Sequence, residues 1–287
     1  MVVKSAIKKS DVLIEALPYI RSFRGKVVVI KYGGSSLEDD ESRKNILQDI
    51  VFMSYAGMKP LLVHGGGPHI NERLKEIGKK AVFVDGHRVT DKKTLSEVKK
   101  IFAGLGEKIA TEIKELGGKA LALSDGTDGV IKAEKLKAEQ GNLGYVGKAT
   151  SLDTDLINSL MEDEVIPVIA PIGKDDKGTF YNINADSVAS KTAILMQAVK
   201  LVLLTNVDGV MKQDGKEPAL IQSLNEAETS RLLKEGVISG GMMPKVTACL
   251  DAVKGGVNKA HIVNAKLPHA LLLEMFTKRG IGTEITK

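Results

Sequence analysis

Short apolar runs alternate with amphipathic segments along most of this chain. The run Val27–Ile30 precedes the amphipathic segment Ser42–Tyr55, and the run Pro60–Val63 precedes a helical pattern from Pro68 to Ile77. Repeated strand-then-helix order is typical of a parallel sheet covered by helices, because parallel strands need a crossover connection between them. The pattern therefore predicts an α/β fold.

The downstream part of the chain continues this order after one interruption. Apolar residues at three- and four-residue spacing predict a long helix from Leu95 to Leu116. Between Lys119 and Thr150, short strands and many glycines predict hairpins on one edge of the sheet. The remaining predicted elements are the buried strands Val165–Ile169, Leu201–Leu204 and Ala260–Val263 and the helices Asp186–Gln197, Glu226–Lys234, Val246–Val253 and His269–Phe276.

Local signals mark the ends of two helices. Ser10-Asp11 predicts a helix start, and Pro18 should kink this N-terminal helix. Ser223-Leu224-Asn225-Glu226 predicts a capping box, and Gly236 predicts the end of the helix that follows it. The N-terminal helix has an apolar side, which either packs on its own domain or contacts a neighbouring subunit. Its apolar residues are Val12, Leu13, Ala16, Leu17 and Ile20.

Composition narrows the functional classes. The chain has 287 residues, 41 basic and 36 acidic side chains, 4% aromatic residues and no tryptophan, so base-stacking surfaces for nucleic acid have little material. Cys249 is the one cysteine, which excludes a disulfide framework, and no Cys/His cluster with metal-ligand spacing occurs. Apolar runs such as Val165–Ile172 are too short to span a bilayer, and the three lysines of Met1–Ser10 precede no apolar signal segment. We expect a cytoplasmic protein with neither a nucleic-acid nor a membrane partner and with no protein-held metal.

Three glycine turns adjoin predicted strands or helices. They are Gly33-Gly34, Gly65-Gly66-Gly67 and Gly240-Gly241. Backbone N–H groups at helix starts bind anions, so three such turns at one sheet edge could cradle a polyphosphate. The chain contains neither the P-loop nor the dinucleotide-binding glycine fingerprint, so the turns would form a different kind of phosphate site.

Lys31, Lys245 and Asp186 are the candidate catalytic residues. Each lysine lies close to a glycine pair, and Asp186 stands at a predicted helix start. One hypothesis joins them, with two cations flanking a transferred phosphoryl group and one carboxylate holding both ammonium groups. The alternative is that Lys31 merely ends a strand and that Asp186 is a plain N-cap.

Arg88 and His64 also have two interpretations each. The planar guanidinium of Arg88 suits a bidentate grip on a carboxylate, although a solvated hairpin arginine has the same local sequence. His64 ends a predicted buried strand, where a histidine is more often a structural donor than a general base. Cys249 lies on an apolar helix face and is expected in the core.

Six motifs occur in an order and spacing that resemble the amino acid kinase family, over essentially the whole chain. By this resemblance the fold is a three-layer α/β/α sandwich around a mainly parallel central sheet. Residues 1–25 would form a kinked helix for oligomerisation, 26–198 an amino-acid substrate lobe and 199–287 a nucleotide-binding lobe. The motifs are Ile30-Lys31-Tyr32-Gly33-Gly34, Val63-His64-Gly65-Gly66-Gly67-Pro68, Gly86-His87-Arg88-Val89-Thr90, Asn182-Ile183-Asn184-Ala185-Asp186, Leu204-Thr205-Asn206-Val207-Asp208-Gly209 and Gly240-Gly241-Met242-Met243-Pro244-Lys245.

The resemblance also implies a role for each site residue. Lys31 and Lys245 match the family's transition-state stabilisers, and Asp186 matches the aspartate that organises them. The positions that match the substrate site are Gly66, Gly67, Arg88 and Asn182. The positions that match the nucleotide site are Gly33, Gly34, Asn206, Gly209, Met211, Gly240, Gly241 and Met242.

The implied reaction is ATP-dependent phosphorylation, with Mg²⁺, of the γ-carboxylate of N-acetyl-L-glutamate in arginine biosynthesis. A side-chain carboxylate has a pKa of about 4.3, so it is ionised at neutral pH and needs no general base. Positioning and charge neutralisation then remain for the protein. Two alternatives stay open: a kinase of N-acetyl-2-aminoadipate or its carrier-linked form, and a silent family member that senses nucleotide or arginine.

The two ends of the chain resemble arginine-inhibited, hexameric family members, built as trimers of dimers. Tyr19, His261, Glu274 and Gly280 would form the arginine site, where Glu274 would meet the effector guanidinium. The chain departs from the usual family pattern in four places. These are Ser35-Ser36, Ser124-Asp125-Gly126-Thr127, Asn206 and Asn264-Ala265-Lys266.

Overall fold

The computed structural model describes residues 2–34, 37–84, 86–124, 130–137, 142–214, 217–277 and 280–287. Within these ranges the helices are α1 (Val2–Phe23), α2 (Asp40–Tyr55), α3 (Gly67–Glu76), α4 (Lys92–Glu115), α5 (Thr154–Glu162), α6 (Ala185–Leu195), α7 (Glu226–Lys234), α8 (Met243–Lys254) and α9 (Ala270–Met275). The strands are β1 (Val27–Tyr32), β2 (Lys59–His64), β3 (Phe83–Val84), β4 (His87–Arg88), β5 (Lys119–Leu123), β6 (Ile131–Lys135), β7 (Gly147–Leu152), β8 (Val165–Ile169), β9 (Ile172–Lys174), β10 (Phe180–Asn182), β11 (Lys200–Thr205), β12 (Met211–Asp214), β13 (Glu217–Leu220), β14 (Ser223–Asn225), β15 (Lys259–Asn264) and β16 (Thr283–Thr286).

An eight-stranded sheet forms the centre of the molecule, in the order β14-β16-β15-β11-β1-β2-β8-β5. All neighbouring pairs are parallel except β15 and β16, which are antiparallel. β1 pairs with β2 on one side and with β11 on the other. Strands from the first two thirds of the chain therefore lie on one side of the β1–β11 contact, and later strands lie on the other.

Successive residues of β1 alternate between the two faces of the sheet. Val28 and Ile30 pack with residues of α2, α4 and α9, whereas Val29 packs with residues of α5, α6 and α8. All three side chains have no exposed surface. Each such burial contributes roughly 1.5–3 kcal/mol, which explains why β1 reads as a continuous apolar run. The predicted three-layer α/β/α architecture around a mainly parallel sheet is confirmed.

The segment 119–150 differs from its prediction. β5 is the edge strand of the main sheet and runs parallel to β8, rather than forming a hairpin. β6 and β7 do pair as an antiparallel hairpin, but in a separate four-stranded sheet with β9 and β10. Residues 125–129 and 138–141 lie outside the described ranges. The prediction failed because the long helix α4 acts as a crossover that returns β5 parallel to the main sheet.

Two local signals predicted at helix ends also differ from the structure. α1 starts at Val2 instead of Ser10 and continues through Pro18 to its end. The capping box belongs to Asn225 and Glu228, because each side chain accepts the backbone N–H of the other, while Ser223 pairs in β14. Gly236 does follow the end of α7, with a φ of 71°. No helix in the described ranges has the combination of length and apolar character that a membrane crossing requires.

Candidate active site

A cleft of about 240 Å³ opens at the carboxyl ends of β1 and β2. These strands are neighbours, with Lys31 opposite Val63, so the glycine turns that follow them come together. A Cβ atom on Gly33 would lie 3.0 Å from the Cα atom of Gly65. The close approach of the two turns therefore requires glycine at residue 33, and Gly34 and Gly65 of these turns line the cleft.

Lys31 and Lys245 contact the two oxygens of one carboxylate. Lys31 Nζ lies 3.0 Å from Asp186 Oδ1, and Lys245 Nζ donates to Asp186 Oδ2 at 2.8 Å. The side chains of Lys31 and Asp186 are each 8% exposed, and that of Lys245 is 19% exposed. The structure thus brings the three candidate catalytic residues together at the edge of the cleft.

The charges of these three groups affect one another. Burial alone would raise the pKa of Asp186, but the two ammonium groups outweigh burial and lower the pKa to about 2. Burial lowers the pKa of Lys31, an effect that Asp186 opposes and Lys245 reinforces. With all three groups ionised, two positive charges and one negative charge leave a net charge of +1 that favours an anion.

Asp186 is not the N-cap of its helix, so the plain N-cap interpretation is wrong. Asn184 is the N-cap of α6, and its Oδ1 accepts the backbone N–H groups of Asp186 and Ser187 at 2.8 and 3.3 Å. Asp186 lies in the first turn of α6, where the helix dipole stabilises a carboxylate. The cap leaves the carboxylate of Asp186 free to contact the two lysines.

Arg88 lies on β4 of the short hairpin beside the cleft and is 8% exposed, so it is not a solvated arginine. Its Nη2 donates to Gly67 O at 3.3 Å, and its guanidinium lies 4.7 Å from the centre of the Phe83 ring. Nη1 has no hydrogen-bond partner in the described part of the chain. Burial lowers the pKa of Arg88. A buried cation with an unused donor beside a cleft is suited to bind an anionic ligand.

The other positions that were expected to bind the amino-acid substrate line the same cleft. Gly66, Gly67 and Asn182 are among its lining residues. A Cβ atom on Gly66 would approach Leu105 and Phe102 to 2.9 and 3.0 Å, so packing excludes a side chain there. Sequence reasoning missed Phe83 and Phe102, which also line the cleft, because apolar residues in a strand or helix pattern indicate only core.

The expected nucleotide positions fall into two groups. Gly34 lines the cleft, next to Gly33. The other positions lie elsewhere: after β11, at the start of β12 and in the 3-10 turn that leads into α8. They are Asn206, Gly209, Met211, Gly240, Gly241 and Met242, and none is among the lining residues of the described cleft. The carboxyl end of β11 is at the same sheet edge as that of β1, because the two strands are parallel neighbours.

His64 and Cys249 are buried outside the lining of the cleft. His64 Nδ1 lies 3.1 Å from Gly65 O, and a carbonyl oxygen can only accept, so Nδ1 carries the proton. Burial lowers the pKa of His64 to about 4, which keeps the ring neutral. Burial raises the pKa of the Cys249 thiol. The structural interpretation of His64 and the core interpretation of Cys249 fit these surroundings.

Three of the four residues expected at an arginine site, His261, Glu274 and Gly280, lie together, and Tyr19 of α1 contacts Phe276, which follows α9. His261 Nδ1 lies 2.6 Å from Glu274 Oε1, and Glu274 Oε2 accepts the backbone N–H of Ile281 at 2.8 Å. A Cβ atom on Gly280 would lie 2.6 Å from Glu274 Oε1. The ring of Tyr19 packs edge-on against Phe276, with centres 6.2 Å apart.

The four departures from the family pattern have different surroundings. Ser35-Ser36 and residues 125–127 lie outside the described ranges. Asn206 is exposed. Asn264 Nδ2 donates to Asp208 Oδ1 at 2.7 Å, and Asn264 Oδ1 accepts the backbone N–H of Lys266 at 3.0 Å. Asn264 thus ties the end of β15 to the loop after β11.

Two comparisons with known proteins find relatives of this chain. The family model described as "Amino acid kinase family" matches residues 26–264. The chain is 46% identical over 294 residues to acetylglutamate kinase of Syntrophus aciditrophicus (strain SB), covering 99% of this chain and 98% of that protein.

Solved structures show the same fold. N-acetylglutamate synthase from Neisseria gonorrhoeae, complexed with coenzyme A and N-acetyl-glutamate, has a TM-score of 0.87 and 24% identity, covering 97% of this chain. Its complex with coenzyme A and L-arginine has a TM-score of 0.83 and 24% identity, covering 95% of this chain. The chain spans only 63% and 64% of the length of these two synthase chains, so they establish the shared fold alone.

Proposed function

This chain belongs to the amino acid kinase family, and on that premise we propose that it uses ATP to phosphorylate the γ-carboxylate of N-acetyl-L-glutamate. The product is N-acetyl-L-glutamyl phosphate, an intermediate of arginine biosynthesis. The relative from Syntrophus aciditrophicus, an acetylglutamate kinase that matches over nearly its full length, supports this activity. We further propose that the enzyme is cytoplasmic.

One geometric observation supports the proposal most directly. The carboxylate of Asp186 holds Lys31 and Lys245, at 3.0 and 2.8 Å, at the edge of the cleft that Arg88 also lines. N-acetyl-L-glutamate carries two carboxylates, and the cleft offers a separate cation for each end of the molecule. Arg88 would bind the α-carboxylate, and the lysines would face the γ-carboxylate and the incoming phosphoryl group.

The chemistry follows from these charges. The γ-carboxylate oxygen attacks the γ-phosphorus of ATP, forming an acyl phosphate bond as the bond to the ADP oxygen breaks. Lys31 and Lys245 neutralise charge on the phosphoryl oxygens, and Asp186 keeps both ammonium groups in position. Asp186 is not a general base, because its pKa is about 2 and the nucleophile has no proton to lose.

Mg²⁺ would come with the nucleotide. The described residues contain no group of three or more His, Cys, Asp or Glu side chains able to hold a metal ion. When bound to ATP phosphates, Mg²⁺ supplies further neutralisation of their charge. The nucleotide itself would bind along the segment 206–211 and the turn 240–242 of the proposed nucleotide lobe, residues 199–287, with its phosphates beside Gly33 and Gly34 of the substrate lobe.

We further propose that arginine inhibits the enzyme and that the chain assembles into a hexamer. Glu274, His261 and Gly280 lie together and Tyr19 contacts Phe276, two residues after Glu274, which supports a common effector site. α1 exposes large apolar side chains, which supports contact with another copy of the chain. These side chains are Ile7, Val12, Leu13, Ile14 and Leu17, at 53%, 63%, 66%, 67% and 46% exposure.

The activity is tested by offering three acceptors to the purified protein with ATP and Mg²⁺. N-acetylglutamate, N-acetyl-2-aminoadipate and aspartate would be compared, with hydroxylamine added to trap any acyl phosphate as a hydroxamate. The proposal expects the highest kcat/KM with N-acetylglutamate. A higher value with N-acetyl-2-aminoadipate would reassign the substrate, a change that one methylene, worth about 1–3 kcal/mol, could produce. Turnover with none of the three would favour a silent family member.

A further inference from the structure

Thr90 lies at the junction of three segments beside the cleft. Its backbone N–H donates to Leu143 O at 2.9 Å, and its carbonyl accepts the N–H of Tyr145 at 2.6 Å. Tyr145 O in turn accepts the N–H of Asn182 at 2.9 Å. Backbone hydrogen bonds therefore fix Thr90 relative to Asn182. Thr90 has no exposed surface, so its own side chain is out of reach of a ligand in the cleft.

The Thr90 hydroxyl has one proton, and that proton is already used. Thr90 Oγ1 donates to Arg88 O at 2.7 Å, and a carbonyl oxygen can only accept. The hydroxyl can therefore only accept from its other neighbour, the carboxamide of Asn182. The nitrogen of that carboxamide, Nδ2, lies 3.2 Å from Thr90 Oγ1. Because the Thr90 hydroxyl can only accept here, the atom of Asn182 that faces it must be the donor Nδ2.

This direction decides what Asn182 can offer to a ligand. The bond to Thr90 is the one side-chain hydrogen bond that Asn182 makes within the described residues, and Asn182 lines the cleft. With Nδ2 turned to Thr90, Oδ1 is the carboxamide atom that faces away from it. No donor among the described residues pairs with Oδ1, so Oδ1 is available to accept a ligand N–H or O–H in the cleft.

N-acetyl-L-glutamate has a single donor at neutral pH. Its two carboxylates and its acetyl oxygen only accept, so the amide N–H is the one group that can pair with Asn182 Oδ1. We propose that Thr90 is a positioning residue that locks the Asn182 carboxamide with Oδ1 towards the cleft, so that the site selects acceptors with an N-acyl N–H. This inference rests on the function proposed above.

The orientation of the Asn182 carboxamide that Thr90 fixes predicts that the site discriminates against an ester analogue of the acceptor. In 2-acetoxyglutarate an ester oxygen replaces the amide N–H, so two acceptors would face each other at Asn182. A site built around a hydrogen bond rejects an analogue that lacks the donor, because its own polar group is left unpaired. Without the Thr90 hydroxyl the carboxamide can rotate by half a turn and offer Nδ2 instead. The preference for amide over ester should then decrease.

The experiment compares wild type, Thr90→Val, which is nearly isosteric and lacks the hydroxyl, and Thr90→Ser, which keeps it. The ratio of kcat/KM for N-acetylglutamate to that for 2-acetoxyglutarate should be at least about 100 in the wild type. We expect Thr90→Val to lower this ratio about tenfold or more and Thr90→Ser to leave it within about threefold. If Thr90→Val does not fold, Thr90→Ala provides the same measurement.

Calorimetric binding of the amide and the ester to each protein gives the same preference without turnover. An absence of turnover in the wild type would count against the proposed function, while the binding preference would still test Thr90. A loss of rate or affinity that is equal for amide and ester in Thr90→Val would indicate a structural role alone. An unchanged preference, by turnover and by binding, would overturn the inference.

Discussion

Lys245 donates to Asp186 Oδ2 at 2.8 Å, and the other oxygen of the same carboxylate lies 3.0 Å from Lys31. The lysines come from opposite parts of the chain, one on β1 and one on α8. A single carboxylate thus sets the separation of two cations. Because flexible lysines would otherwise move independently, Asp186 pre-positions both charges for a phosphoryl group.

Removing either lysine should greatly reduce turnover. We expect Lys31→Ala and Lys245→Ala each to lower kcat about 10²- to 10³-fold, by analogy with the loss of a pre-placed donor to a transition-state oxygen. Steady-state kinetics with saturating ATP and N-acetylglutamate measure the effect. Lys44→Ala, at an exposed position on α2, is the matched control and should be near wild type. A loss of tenfold or less at both lysines would contradict the two-cation arrangement.

Arg88→Lys should raise the KM for the acceptor substrate and leave the KM for ATP almost unchanged. Lysine keeps the charge but loses the planar fork that grips a carboxylate at two points. We expect the KM for N-acetylglutamate to rise about tenfold or more while the KM for ATP changes less than about twofold. Arg73→Lys on the surface of α3 is the control, because Arg73 pairs with Glu76 and Glu97 away from the cleft. A change confined to the KM for ATP would show that Arg88 does not bind the acceptor.

The lowered pKa of Asp186 predicts that the free energy of unfolding depends on pH in the acid range. A carboxylate whose pKa is about 2 in the folded protein and about 3.8 unfolded stabilises the fold above pH 4, and this stabilisation disappears as the pH falls towards 2. We expect the difference in unfolding free energy between wild type and Asp186→Asn to shrink by about 2 kcal/mol between pH 5 and pH 2. Urea unfolding across this range measures it. A difference independent of pH would mean that Asp186 has an ordinary pKa.

Two glycines of α4 give a matched test of packing beside the cleft. A Cβ atom on Gly106 would lie 2.0 Å from Ser124 Oγ and 3.2 Å from Ser124 Cβ, whereas one on Gly104 would have no neighbour within 4 Å. Gly106→Ala should therefore destabilise the protein by about 1–3 kcal/mol, since Ser124 must move. Gly104→Ala should stabilise it by up to about 1 kcal/mol through helix propensity. Equal effects in thermal unfolding would show that this packing is loose.

Deletion of residues 1–22 should give a smaller oligomer with lost or weakened inhibition by arginine. The deletion removes the exposed apolar side chains of α1 and also Tyr19 beside Phe276. Sedimentation velocity and arginine titration of the activity measure the two effects. Leu13→Glu, at a site 66% exposed, should weaken assembly of the full-length chain without unfolding it. An unchanged hexamer with full inhibition in the deleted protein would contradict this role of α1.

Much of the fold could be predicted from the sequence because the signals are local. The apolar runs of β1, β2, β8, β11 and β15 and the helical spacing of α4 appear directly as strands and a helix. The prediction failed at β5, whose place depends on where α4 returns the chain. It also failed at the capping box of α7, because Asn225, two residues after Ser223, makes the box with Glu228 while Ser223 pairs in β14.

The sequence by itself determined which residue types stand at strand ends and glycine turns, and through its motifs it indicated the family. Tertiary structure alone decided that Asp186 binds both lysines, that Arg88 is buried beside the cleft with an unused donor, and that Thr90 accepts from Asn182. The physical reason is the sequence separation over which each kind of interaction acts. Hydrophobic periodicity and capping act over a few residues, whereas these contacts join segments that only the packed sheet and its helices bring together.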